Sequence, residues 1–330
     1  MSSRYHEVYE NWRRDPARFW ADAAQDIDWF RPFDKAFDAN DGVYGRWFPG
    51  AVCNTCFNAV DRHVERGRAD QLALIHDSAM TGRVRRYTFR ELQREVVALA
   101  SVLANQGVGK GDRVIIYMPM VPEALFAMLA CARLGAIHSV VFGGFAAREL
   151  ASRIDDAKPK LVISASCGLE PGRTVAYKPL LDNAFELARH KPERCLILQR
   201  DEQPCELTPG RDLDLADQME REKAAGAWLD CVPVAATDPL YVLYTSGTTG
   251  QPKGVVRDNG GHMVMLKWSM ENEFGVKPGE VFWAASDVGW VVGHSYIVYA
   301  PLLHGCTTVM FEGKPIGTPD AGAFWRVISQ

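Results

Sequence analysis

The chain has 330 residues, 47% of them hydrophobic and 24% charged, with a formal net charge of −4. That balance excludes a disordered or fibrous polymer and leaves a globular protein with room for roughly two domains. A mildly acidic chain without a dense Lys/Arg run has no general attraction for nucleic acid or an anionic membrane surface, so small-molecule chemistry is expected.

The amino terminus, MSSRYHEVYENWRRDPARFW, lacks the apolar core of a secretory signal, and its early acidic residues argue against a transit peptide; a cytoplasmic protein is expected. The first sixty residues are rich in Trp, Phe and Tyr without clean alternation, which predicts a wrapping segment that docks aromatic side chains on a larger body. Residues 1–65 are therefore assigned to an N-terminal cap and 66–330 to the main domain. Eight cysteines are scattered at low density and read as reduced core residues. Cys53-Asn-Thr-Cys56 is a lone C-x-x-C, without the second pair a zinc site wants or the preceding strand a redox motif wants. Ordinary burial is the expectation for it.

From about Leu72 the pattern changes. Thr88 and Glu91 stand in capping-box spacing before Phe89, Leu92, Val96, Leu99 and Leu103, which share one helical face, and Gly107 stops the run. The chain then alternates: strand RVIIYM, helix PEALFAMLACARL opened by Pro122 and ended by Gly135, strand IHSVVF, helix ARELASRIDDA, strand LVISA, helix KPLLDNAFELARH, strand CLILQ. A polar surface connection, Arg200 to Asp212, leads toward strand LYVLY. Strands separated by helices predict an α/β fold with mostly parallel sheets flanked by helices, whose ligands bind beyond the carboxyl ends of the strands. The stretch VGWVVGHSYIVYAPLL is broken by Gly, His, Ser and Pro and falls short of the roughly 20 residues of a membrane helix, so no span is expected. The last residues, DAGAFWRVISQ, read as the opening of a helix with no stop signal after it, as in a truncated protein.

One loop carries the chemistry. Thr245-Ser-Gly-Thr-Thr-Gly-Gln-Pro-Lys-Gly254 follows the LYVLY strand. Gly247, Gly250 and Gly254 let consecutive amides converge on an anion, Thr245, Ser246, Thr248 and Thr249 add hydroxyl donors, and Lys253 adds a mobile cation suited to phosphate oxygens. A flexible Gly/Ser/Thr linker is the competing reading by composition, against which stand the apolar runs on both sides. A Walker A loop does not fit, because Pro252 falls five residues after Gly247, where its second glycine should be, and Gly254 follows Lys253 where Ser or Thr should be. A dinucleotide oxidoreductase does not fit either, since no G-x-G-x-x-G follows a strand.

The pattern [YF]-T-S-G-[ST]-T-G-x-P-K-G resembles the signature of the acyl- and aryl-CoA synthetase, adenylation-domain and luciferase superfamily. The resemblance implies ATP-dependent activation of a carboxylate to an acyl adenylate with release of pyrophosphate, the loop handling the ATP phosphates together with Mg²⁺, and then transfer to coenzyme A. Two further stretches are similar to short-chain acyl-CoA synthetases. In GAIHSVVFGGFAARELASRIDDAKPKLVISA, Gly143 and Gly144 would turn tightly or approach a ligand, with Arg148 and Arg153 near the rim. Glu170-Pro171-Gly172-Arg173 stands where the acetyl-CoA synthetase pattern has R-x-G-R for CoA phosphates; it keeps Arg173, has Glu170 in place of the first arginine, and resembles the propionyl-CoA synthetase branch. In AASDVGWVVGHSYIVYAPLLHGCTTVMFEGKP, the resemblance makes Trp290, Val291 and Val292 the acyl pocket, whereas by residue type alone they read as ordinary core. Asp287 is expected to cap the next turn and His294 to be buried.

With VVRDNGGHMVMLKWSM and GKPIGTPDAGAFWRVI, these blocks are most similar to propionate–CoA ligases, and they imply propionate or acetate as substrate. The resemblance covers about the first half of a typical member. The adenine-binding segment, the acid that helps hold Mg²⁺, the ribose-binding aspartate, the hinge and the C-terminal lysine fall beyond Gln330, so no metal ligand is assigned here and these 330 residues alone are expected to be inactive. A catalytically incomplete nucleotide- or CoA-binding module is the alternative.

Overall fold

A computed structural model describes residues 4–245 and 252–330. Seven strands form the main sheet, in the order Asp212–Asp214, Arg194–Leu198, Leu161–Ala165, Arg113–Met118, Ile137–Phe142, Pro239–Thr245, Lys253–Asp258. Every neighbouring pair is parallel except the last. A second sheet orders Val281–Phe282, Thr307–Glu312, Leu72–Ser78 and Arg83–Thr88, parallel apart from its closing hairpin. The α/β fold with mostly parallel sheets is as expected.

Alternation along the strands explains the layers, since successive side chains point to opposite faces. Ile115, Tyr117, Val141, Val162, Cys195 and Ile197 bury one face of the main sheet with residues of the helices Ala147–Ala157 and Tyr177–Leu187. Val114, Ile116, Met118, Val140, Ile163 and Leu196 bury the other with Phe89–Asn105 and Pro122–Leu134. The Phe89 helix opens with the expected capping box: Glu91 Oε2 accepts from Thr88 N at 2.8 Å and Thr88 Oγ1 from Glu91 N at 3.2 Å. The Pro122 helix is apolar almost all round because it is enclosed on all sides, and Gly135 ends it in the left-handed conformation at φ 67°.

The aromatic N-terminal segment packs partly on itself and touches the rest of the chain through Trp20. Trp20 meets Trp268 of the helix Gly260–Asn272 with ring centroids 5.6 Å apart, Trp29 and Phe33 pack on buried Phe48, and Arg62 reaches the carbonyl of Asp26 at 3.0 Å. The helix Ala323–Ser329 forms where the last residues predict one.

Two expectations need correction. The KPLLDNAFELARH helix stops at Leu187, because Ala188 turns extended and Lys191 Nζ takes the free carbonyls of Glu186 at 3.2 Å and Ala188 at 2.6 Å. The Arg200–Asp212 stretch is not wholly surface connection: both ends are buried, Arg200 in an ion pair with Glu312 and Asp212 beside Lys178 and Arg211. Buried charge of this kind requires pairing.

Candidate active-site rim

The carboxyl ends of both sheets converge. The strand Ile137–Phe142 delivers Gly143 and Gly144 to a rim. A Cβ on Gly143 would overlap the Tyr177 hydroxyl and sit 2.9 Å from the Met118 carbonyl, so the position admits glycine alone, while Gly144 takes φ 91°. Tyr117 OH donates to Phe145 O at 2.9 Å and holds the turn that follows. Beside it lies a narrow cleft of about 50 Å³ lined by Met120, Phe142, Gly143, Glu170, Asp287 and Lys314, among others.

Glu170 and Arg173 face each other across a tight hairpin, Cys167–Glu170 against Arg173–Ala176. Pro171 and Gly172 form its tip, with Gly172 at φ 75°, as a proline–glycine turn requires. Lys314 Nζ stands 3.3 Å from Glu170, so this carboxylate already has a cation. Arg173 is exposed. Lys314 was not singled out in the sequence; its signal is its place two residues past the end of the strand Thr307–Glu312.

Trp290, Val291 and Val292 reach the same rim and are not core: they are 55%, 43% and 47% exposed. Trp290 leans on Phe142, centroids 5.9 Å apart. Asp287 Oδ1 accepts from Gly289 N at 2.7 Å, the expected turn cap, and burial pushes its carboxyl pKa up while Lys314 opposes the shift. His294 is fully buried, with Nδ1 3.0 Å from Trp290 O and no partner for Nε2 among the described residues. Burial brings its pKa down to about 4.

The Thr/Gly/Lys loop begins and ends at this rim. Thr245 pairs with Lys253 at the last register position of an antiparallel pair, and both are exposed. The pairing Tyr241↔His138 with a parallel neighbour puts Thr245 at the same end of the sheet as Gly143. Ser246, Gly247, Thr248, Thr249 and Gly250 lie outside the described residues. Tyr244, just before them, donates its hydroxyl to Asp156 Oδ2 at 2.6 Å. The Arg153 guanidinium lies 5.7 Å from the Tyr244 ring and 5.1 Å from that of Phe145, in the turn after Gly144. Arg153 is thus buried and structural, whereas Arg148 is exposed.

The rim acids are engaged: Glu170 by Lys314, Asp287 by Gly289 N, Glu312 by Arg200 and Ser78.

A model described as AMP-binding enzyme matches residues 60–330, and one described as acetyl-coenzyme A synthetase N-terminus matches residues 5–59. The chain is 54% identical over 317 residues to the human acyl-CoA synthetase short-chain family member 3, mitochondrial, covering 96% of this chain and 46% of that protein. It is 47% identical over 326 residues to propionate–CoA ligase of Escherichia coli, covering 99% of this chain and 51% of that protein. An uncharacterized protein of Pseudomonas aeruginosa is 56% identical over 317 residues, 96% of this chain and 50% of its own length. The chain spans about half the length of these relatives. The human relative's name is mitochondrial, so the cytoplasmic expectation gains no support from it, and no helix among the described residues is long and apolar enough to cross a membrane. A matched model over most of the chain, the loop signature and the rim it starts from agree: the chain belongs to the AMP-binding enzyme family.

Proposed function

We propose that this chain supplies the rim of an AMP-forming short-chain acid–CoA ligase, which joins propionate or acetate to coenzyme A through an acyl adenylate. The observation that carries the reading is the placement of Thr245 and exposed Lys253 at the carboxyl end of a parallel sheet, with Trp290–Val292 and the Glu170–Arg173 hairpin at the same end.

In this reading the Lys253 ammonium binds phosphate oxygens of ATP and neutralises charge that moves onto the departing pyrophosphate as the carboxylate attacks the α-phosphorus. Ser246 to Gly250 add hydroxyl and amide donors to the same phosphates. Trp290, Val291 and Val292 form an apolar wall that measures the acyl chain by size, where one methylene is worth about 1–3 kcal/mol. Gly143, Gly144, Glu170, Pro171, Gly172 and Arg173 receive coenzyme A. With Glu170 held by Lys314, the phosphate end falls to Arg173. The resemblance implies magnesium with ATP; no described residue is assigned to hold it, and no step is derived through it. Residues 1–65 act as a docked cap and 66–330 as the first part of the adenylating domain.

The test is release of AMP and pyrophosphate from ATP by the whole protein, with propionate, acetate or butyrate and with coenzyme A. Turnover that requires the acid, fastest with propionate, supports the ligase. ATP or CoA binding by calorimetry with no AMP under any acid assigns the chain to a binding module.

A further inference from the structure

The C-x-x-C cysteines do not act together. Cys53 lies buried in the short strand Val52–Cys53. Cys56 meets Cys231 instead, which comes from the linker between the helix Leu215–Ala224 and the strand Val234–Ala235. Asp61 Oδ2 is 4.0 Å from Cys56 Sγ and 3.5 Å from Cys231 Sγ, and the three atoms all lie within 4.8 Å of one another. A tetrahedral cation with metal–sulfur bonds of about 2.3 Å and a metal–oxygen bond of about 2.1 Å needs sulfur–oxygen separations of about 3.5 Å. The Cys231 sulfur already stands at that spacing from the carboxylate, and the Cys56 sulfur is about 0.5 Å farther out.

The surroundings fix the carboxylate for such a role. Asp61 Oδ1 accepts from Gln93 Nε2 at 2.8 Å and from Arg133 at 2.9 Å, which leaves Oδ2 turned toward the thiols with one further Arg133 contact at 2.8 Å. Arg133 is 1% exposed and is itself held through Nε by Leu229 O at 2.6 Å, under the Trp228 ring. Two thiolates, one carboxylate and one guanidinium together carry two negative charges, which a divalent cation cancels. A buried site of that composition then costs no net charge. Thiolate donors select soft cations of the zinc group over magnesium or calcium.

We propose that Cys56, Cys231 and Asp61 form a binding site for a thiophilic divalent cation, with Gln93 and Arg133 as positioning residues. Binding forms two metal–sulfur bonds and one metal–oxygen bond, releases two thiol protons to solvent, and leaves a fourth position for water. Entry is by way of the linker, where Cys231 is half-buried and Trp228 is 60% exposed. The helix Pro122–Leu134 runs back from the rim to present Arg133, so the site lies at the opposite end of the sheet and is independent of the proposed ligase reaction. It would clip the linker to the end of the N-terminal segment.

Cadmium titration of the reduced protein tests this through the thiolate-to-cadmium ultraviolet band. The expected result is a band saturating at one Cd²⁺ per chain, two protons released, and displacement by Zn²⁺. Cys231→Ser should abolish that first equivalent, Cys205→Ser should keep it, and Gln93→Leu should weaken it by roughly 10–100-fold. Because Cys56→Ser alters a fully buried residue, Cys231→Ser on the linker is the deciding variant, with circular dichroism as the folding control. An undiminished band in Cys231→Ser overturns the proposal, as does absence of a band in the parent. Intact-mass detection of a Cys56–Cys231 disulfide with no metal uptake overturns it also.

Discussion

Arg200 forks onto Glu312, Nη1 to Oε1 at 2.7 Å and Nη2 to Oε2 at 3.1 Å, and so ties the carboxyl end of one sheet to that of the other. The two are 8% and 4% exposed, and Ser78 Oγ completes the carboxylate at 2.7 Å. Removing one partner leaves the other charge buried and unpaired, so Arg200→Ala should lower stability by about 3–5 kcal/mol. Replacing both, Arg200→Met with Glu312→Leu, should recover most of that loss. Urea unfolding of the three variants measures it; a loss below about 1 kcal/mol in Arg200→Ala would show that the clamp is not where the sheets are joined.

Lys253 is exposed at the mouth of the loop. Lys253→Ala should therefore cost little stability, within about 0.5 kcal/mol. In the whole protein it should lower kcat for acid-dependent pyrophosphate release by roughly 100-fold, the scale of losing one donor to developing charge. Equal kcat in the variant would remove Lys253 from the reaction.

Trp290 leans on Phe142 and is 55% exposed, so its truncation opens a gap to solvent. Trp290→Ala should raise the kcat/KM of butyrate relative to propionate by about tenfold, within the worth of one methylene. An unchanged ratio of the two acids would exclude Trp290 from the acyl wall.

Four buried histidines should make the fold acid-labile. Burial pushes His63 and His262 down to about 3 and His76 and His294 down to about 4, from an unfolded value of 6.5. A depressed histidine is neutral when folded and protonated when unfolded across that interval. Its contribution is thus fully present above pH 6.5 and is lost as pH falls, at about 1.4 kcal/mol per pH unit for each group. The thermal midpoint should drop steeply between pH 6.5 and 4 and be flat from 7 to 8. A midpoint that holds steady down to pH 4 would contradict the assignment.

What the sequence made legible was local. The Phe89 helix could be read because Thr88, Glu91 and the apolar face sit within a few turns of one another. The parallel strands could be read because both faces are buried, which makes their sequences nearly continuous apolar runs. Arg200, Lys314 and Asp156 were missed as parts of the rim because each depends on a partner the chain delivers from elsewhere: Glu312, Glu170, Tyr244. Cys56 was read against its neighbour Cys53, when its partner is Cys231. Trp290 to Val292 read as core by residue type, since hydrophobicity does not say which apolar residues stay at a surface.

The helix Ala147–Ala157 holds two loops by one handle. Its Asp156 grips Tyr244 before the phosphate loop, and its Arg153 is stacked against both that tyrosine and Phe145 beyond Gly144. A displacement of Tyr244 therefore strains the turn that carries Phe145, and the reverse holds equally. Two segments far apart in the chain are mechanically coupled through a single helix.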